Sequence, residues 1–213
     1  MSKAIPESSD DKVMNFTTLD DADLFSEFVE KIEQAYAKLG YKIILHKMPS
    51  LRSIQESAEN DSYDGELGRI KDAEKILKNH IRIKVPIVTL KIHAAYLDDS
   101  IKVESLKDLE KYNFGYVRGS LLIEKVLKKG TGTPVKDHKQ CFEMLSAGRI
   151  DVVITELRFF DGPWGDELKS RLKKSSYTLT EHKVYHFLHE KHSAIVPELT
   201  KALSQVIGQE IEK

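Results

Sequence analysis

The sequence predicts an α/β protein of two lobes, each a mainly parallel sheet flanked by helices, with a ligand cleft between them. Three observations carry this reading. Residues 12–70 alternate strand and helix signals in the order β-α-β-α-β, the pattern of a parallel sheet with helices on its faces. The alternation restarts after Asp98, which makes two units in tandem. One strand in each unit ends on a charged residue, Arg69 in the first and Glu156 in the second. Ligands of open α/β sheets gather at such strand ends.

The elements follow in order. KVMNFTT (12–18) reads as a first strand. Leu24, Phe25, Phe28, Val29, Ile32, Tyr36 and Leu39 then recur at helical spacing. Asp20 or Asp21 is placed to cap that helix and Gly40 to end it. KIILHKM (42–48) is a strand stopped by Pro49, residues 51–59 a helix, and 64–70 the third strand. Residues 81–97 are β-branched and extended, broken at Pro86, and read as a long connection between the units. In the second unit, 105–109 is a helical turn and 114–117 a strand. Gly119 and Ser120 open a helix carrying Leu122, Ile123, Val126 and Leu127, and GTGTP (130–134) is a loop. A further helix runs to Ala147 and feeds the apolar strand 150–155. Residues 157–165 are loose, 184–188 return as a strand, and the last helix buries Leu199, Ala202, Leu203, Val206 and Ile207. The domain reading is therefore a flexible tail (1–11), a first lobe (12–94 with 189–213) and a second lobe (95–188).

Composition narrows the function. Thirty-three basic and 34 acidic residues leave a net charge of -1, with no basic field of the kind nucleic acid requires. The single cysteine, Cys141, excludes an intrachain disulfide and a cysteine-based zinc site. It lies among Phe142, Met144 and Leu145 and reads as core. No segment reaches the roughly 20 apolar residues of a membrane helix. The start MSKAIPESSDDK lacks the apolar centre of a signal peptide, which leaves a cytosolic protein and one whose signal was removed both open.

Each candidate site residue has a plain structural reading beside the functional one. Glu156 is a ligand group or a solvated strand end. Arg69 is a ligand group or a partner of Glu66 or Asp64. Ser120 is first a helix N-cap, with anion binding at the helix start as an addition. Arg118 and Gly119 flank the same turn. Arg52 belongs to the cleft or to a helix surface; Phe16 and Tyr96 line the cleft or, more simply, the core. Arg149, after a helix-ending glycine, suits a helix C-terminus. His186, His189 and His192 lack the H-E-x-x-H spacing of a zinc site and span a strand end and a turn, so no metal is expected. No G-K-[ST] phosphate loop and no G-x-S-x-G elbow is present, and no cofactor is expected.

Five stretches, MPSLRSI (48–54), YDGELGRI (63–70), SLKDLEKYNFGYVRGS (105–120), MLSAGRIDVVI (144–154) and VYHFLHEKHSAIVPELTKAL (184–203), occur in an order and spacing that covers most of 13–207. In these the chain resembles bacterial extracellular solute-binding proteins of the type II periplasmic-binding fold, within them the amino-acid-type family 3. The resemblance implies a periplasmic monomer that binds a small solute between its lobes and presents it to a membrane transporter permease or a sensor. It implies that Arg69 and the backbone at Ser120 and Leu121 hold the ligand's anionic end, and that Glu156 holds a cationic end. The chain departs from the family in a short first loop (19–23), in GELGRI where serine and threonine are usual, and in Glu where Asp is usual. Two other readings remain beside it. One is a lyase or dehydratase of the same fold acting on a carboxylate, with Glu156 or a cleft histidine as general base. The other is a degenerate module that binds a protein.

Overall fold

The computed structural model describes residues 12–127, 131–164 and 166–212; the expected tail (1–11) lies outside them. The first unit runs β1 (Lys12–Leu19), a 3-10 turn (Ala22–Phe25), α1 (Ser26–Ala37), β2 (Tyr41–Met48), α2 (Ser50–Glu59), β3 (Gly65–Ile70) and β4 (His80–Arg82). The long β5 (Val88–Tyr96) leads to β6 (Phe114–Val117), α3 (Leu121–Glu124), β7 (Thr133–Val135), α4 (His138–Ser146) and β8 (Val152–Glu156). A 3-10 turn (Leu157–Asp161), α5 (Asp166–Arg171) and β9 (Lys173–Lys174) follow. The chain returns through β10 (Thr180–His189) and closes with α6 (Val196–Ile207).

The strands form one continuous sheet in the order β2-β1-β3-β10-β5-β8-β6-β7, with β4 on β10 and β9 on β5. Its ends are parallel: β1 lies between β2 and β3, and β6 between β7 and β8. Its middle is antiparallel. β10 pairs β5 through Thr180 to Val184 and β3 through Val184 to Leu188. β5 pairs β8 through Ile92 to Ala95. Each of these two strands therefore begins in one lobe and ends in the other, and they are the connections between the lobes.

Each lobe has its own core. Met14, Phe16, Ile32, Tyr36, Leu67, Leu188, Leu199 and Leu203 fill the first, where α1 and α6 cover the sheet. In the second, Val152 and Ile154 of β8 face one cluster with Ile92, Phe114 and Leu122. Val153 faces another with Cys141, Phe142 and Phe159. Both faces of β8 are buried, which is why Val152, Val153 and Ile154 read as an unbroken apolar run before Thr155 and Glu156.

The structure differs from the sequence reading at several elements. Leu24 and Phe25 are not on the α1 stripe. They sit in the preceding 3-10 turn and pack against the second lobe's cluster, with Phe25 5.8 Å from Phe159. Asp21 makes no cap, because its carboxylate is used elsewhere. Thr133 and Pro134 of the expected loop open β7, and Gly130 lies outside the described residues. The helix after Ser120 is one turn of four residues. The loose stretch after Glu156 is a 3-10 turn, with α5 beyond it. No apolar helix long enough to cross a membrane occurs among the described residues.

Candidate functional site

Where the two lobes meet, they enclose about 820 Å³ of unfilled space, part of it open to solvent. Arg69 stands on the first-lobe wall. Residues three apart in a regular strand face opposite sides, yet Glu66 and Arg69 share one. The register supplies the reason. Arg69 pairs with Tyr185 and Glu66 with Phe187, so three steps along β3 match two along β10. The one extra residue is a β-bulge, which turns Arg69 back onto the face of Glu66.

Glu66 is fully buried and Arg69 only 7% exposed. Arg69 Nε donates to Glu66 Oε1 at 3.0 Å. Glu66 Oε2 accepts from Thr17 Oγ1 and Ser53 Oγ, each at 2.7 Å. The carboxylate is thus fully satisfied, the condition for burying a charge. Arg69 NH1 donates to Ser50 Oγ and NH2 to Ser50 O, both at 2.9 Å. Three of the guanidinium's five N–H donors are spent and two remain.

One acid lies opposite, on the second lobe. Glu156, the last residue of β8, is buried beside Arg158. Its Oε2 accepts from the Arg158 backbone at 2.7 Å and its Oε1 from Arg158 NH1 at 3.2 Å. Burial raises its carboxyl above the usual range, and the Arg158 contacts oppose that rise. Asp20 and Asp21 follow β1 at the cleft rim. Burial and the charges of Asp21 and Asp137 push the Asp20 carboxyl up. The first-lobe wall therefore offers a cation with two acids at its rim and the second-lobe wall a buried acid, while Leu19, Phe25, Leu90 and Ile92 line the space between.

The lobes touch across this space. Ser50 Oγ donates to Gly119 O at 3.0 Å. His138 Nδ1 donates to Asp21 Oδ2 at 2.6 Å, with its ring stacked 3.4 Å from Phe159. Arg158 reaches Glu27 at 3.5 Å and Lys125 reaches Asp72 at 3.1 Å.

Four of the residues singled out in the sequence, Arg69, Ser120, Leu121 and Glu156, line the one cavity. Four do not. Gly119 lies behind it, packed on the Leu51 backbone. Arg118 is exposed. Arg52 is exposed on α2 and pairs with Glu56 at 3.5 Å. Phe16 is fully buried against Tyr36 and His186, and Tyr96 packs against the second lobe's core. Ser120 stands at the N-cap position of α3 but makes no side-chain cap bond, so the plain capping role is replaced by a place in the cavity wall. The three histidines separate: His186 bonds Tyr36, His189 bonds Asn79 and His192 bonds Asp64. Among the described residues no three His, Cys, Asp or Glu side chains are placed to hold a metal. Sequence reasoning passed over Ser50, Asp21, His138 and Phe159. The acidic doublet directly after the first strand and the Lys-Asp-His run at a helix start were the available signals.

No family model matches the chain. An uncharacterized protein of Shewanella oneidensis is 25% identical over 183 residues, which cover 81% of this chain and 67% of that protein. Solved structures are similar over nearly the whole length. A histidine kinase sensor domain with similarity to periplasmic binding proteins matches at TM-score 0.77 and 10% identity, covering 92% of this chain and 91% of that one. A Gly52Ala mutant of arginine-bound ArgBP from T. maritima matches at 0.75 and 14%, covering 95% and 100%. The GluR0 ligand-binding core from Nostoc punctiforme, in complex with (L)-glutamate, matches at 0.68 and 13%, covering 91% and 92%. The chain has the two-lobed type II periplasmic-binding-protein fold, as the sequence resemblance implied. That architecture is shared here by binding proteins, a receptor core and a sensor domain.

Proposed function

We propose that this chain is a periplasmic solute-binding protein. It captures a small polar solute, an amino acid or a related carboxylate, between its lobes and presents the closed form to an ABC-type transporter or a sensor. It acts as a monomer, with a first lobe of 12–94 and 189–213 and a second of 95–188, except that the end of β10 from Tyr185 to Leu188 packs on β3 in the first. The observation that carries the reading is one cavity with a half-spent guanidinium on the first lobe and a buried acid on the second.

The ligand's carboxylate takes the two unspent donors of Arg69, with the backbone N–H of Leu121 on the other lobe; the Ser120 N–H is spent on Val117 O at 3.2 Å. A cationic group is held by Glu156, with Asp20 and Asp21 adding negative potential at the rim. Contacts on both lobes favour the closed form, and that difference in affinity drives closure about β5 and β10. The structural neighbours bound to arginine and to glutamate support a solute of this size and charge pattern.

A thermal-shift screen of amino acids, dicarboxylates and small amines tests it. A ligand that binds only the native state adds about 2.7 kcal/mol at a hundredfold excess over its Kd. We expect zwitterions to shift the melting transition. Arg69→Lys, which keeps a cation beside Glu66 but loses the two-point fork, removes the shift. Glu156→Gln removes it for zwitterions and spares simple carboxylates. Shifts from none of these compounds overturn the reading.

A further inference from the structure

Beyond Gly68 the cleft opens into a second chamber of about 550 Å³, part of it open to solvent. Leu19, Phe25, Gly68, Leu90 and Val184 line both spaces and lie between them. Ala22, Phe25, Phe28 and Val29 form one wall of the chamber; Ile87 and Val184, at the connecting strands, form the other. Of the described residues that line it, only Thr18 carries a polar side-chain atom. Gly68 is the tight point between the two spaces, since a Cβ there would meet Val184 Cγ1 at 3.1 Å.

The wall of Phe25 and Phe28 is held from the second lobe. The Arg158 guanidinium lies over both rings, 5.3 Å and 5.0 Å from their centroids. The same side chain is tied to Glu156 and to Glu27. The group that contacts the buried acid of the charged cavity therefore also braces the apolar chamber next to it. Apolar space of this kind gives water too few hydrogen-bond partners and favours an apolar occupant.

We infer that the solute is amphipathic: a carboxylate, with or without an amine, whose aliphatic or aromatic tail enters the chamber past Gly68. This rests on the binding reading above and names the ligand class within it. The head is fixed at Arg69 and Glu156, and the tail supplies the selectivity. An aliphatic or aromatic tail suits a chamber lined by Phe28, Val29, Ile32 and Ile87. Polar tails of equal size are rejected, because their donors and acceptors would go unpaired.

Calorimetric titration with alanine, norvaline, leucine, phenylalanine, asparagine and glutamine decides this. Affinity is expected to rise roughly fourfold per added methylene, and leucine to exceed asparagine, its near isostere, by about tenfold or more. Ala22→Leu, which narrows the chamber, is expected to cut the leucine-to-alanine affinity ratio about tenfold. Val29→Ala, a mild change should the first variant fold poorly, is expected to move the preference toward phenylalanine. Asparagine binding as tightly as leucine, or ratios unmoved by both variants, would overturn the inference and leave the binding reading standing. Binding of none of these compounds, nor of the same tails on simple carboxylates, would overturn both.

Discussion

His186 is buried in the first lobe, and its two bonds fix its chemistry. Nδ1 lies 3.0 Å from the Leu67 carbonyl oxygen, which can only accept. The proton is therefore on Nδ1, and Nε2 accepts from the Tyr36 hydroxyl at 2.7 Å. Burial pushes the imidazole down to about 4 and pushes the Tyr36 phenol well above its ordinary range. Both groups stay neutral, which suits a site walled by the Phe16 ring. The consequence for stability has a definite sign. Between the ordinary histidine value of 6.5 and about 4, the unfolded chain binds a proton that the folded chain refuses. Stability is therefore complete above 6.5 and falls as pH drops toward 4. From this one group the loss between pH 7 and pH 4.5 is on the order of 2–3 kcal/mol. Urea unfolding at the two pH values measures it. His186→Gln keeps a donor for Leu67 and an acceptor for Tyr36 but cannot titrate. The variant should show a shallower pH slope, and an equal slope would refute the assignment.

At the scale of elements, Gly119 ties local backbone to lobe closure. Its φ is +80°, and a Cβ there would stand 2.7 Å from Leu51 Cα and N in the opposite lobe. Alanine at this position costs about 1 kcal/mol of backbone strain in any state of the cleft. The clash with Leu51 arises only when the lobes meet. Gly148 is the control: its φ is +65°, and nothing lies within 4 Å of its would-be Cβ. Gly148→Ala should therefore lower the melting temperature but keep the ligand-induced shift. Gly119→Ala should lose the shift as well, with affinity down about tenfold or more. Equal behaviour of the two variants would show that closure does not bring Gly119 against Leu51. The same elements show what the sequence makes legible. The β-α-β-α-β order, the apolar Val-Val-Ile of β8 and the α6 stripe carry their periodicity on the surface, and the two-unit α/β order is legible in them. The pairing of Glu66 with Arg69 is not, beyond its being one option, because it depends on a bulge that only β10's register creates. Leu24 and Phe25 misled for the opposite reason. Their spacing continues the α1 stripe, but their partners come from the other lobe, and a local pattern holds no record of that.

For the whole molecule, the balance between open and closed lobes follows from how few contacts join them. Among the described residues they include one hydrogen bond from Ser50 to Gly119, the His138–Asp21 pair, and the Arg158–Glu27 and Lys125–Asp72 ion pairs. Lys125 holds the Asp72 carboxyl below its ordinary range, but both groups are partly exposed, as are Arg158 and Glu27. Exposed pairs of this kind contribute about 0–1 kcal/mol each and weaken with salt. Without ligand, then, closure is shallow, and a solute that touches both lobes tips it by its differential affinity. Small-angle scattering of the ligand-free protein should show a larger radius of gyration at about 1 M salt than at about 0.02 M, since the Debye length falls to about 3 Å. Lys125→Ala should show the enlarged radius already at low salt. With a saturating ligand both proteins should return to the compact value at either salt concentration. A radius that ignores salt in the ligand-free protein would mean that the apolar packing of Leu24 and Phe25 against the second lobe, not its ion pairs, holds the cleft shut. Polarity at the rim would then serve ligand entry alone.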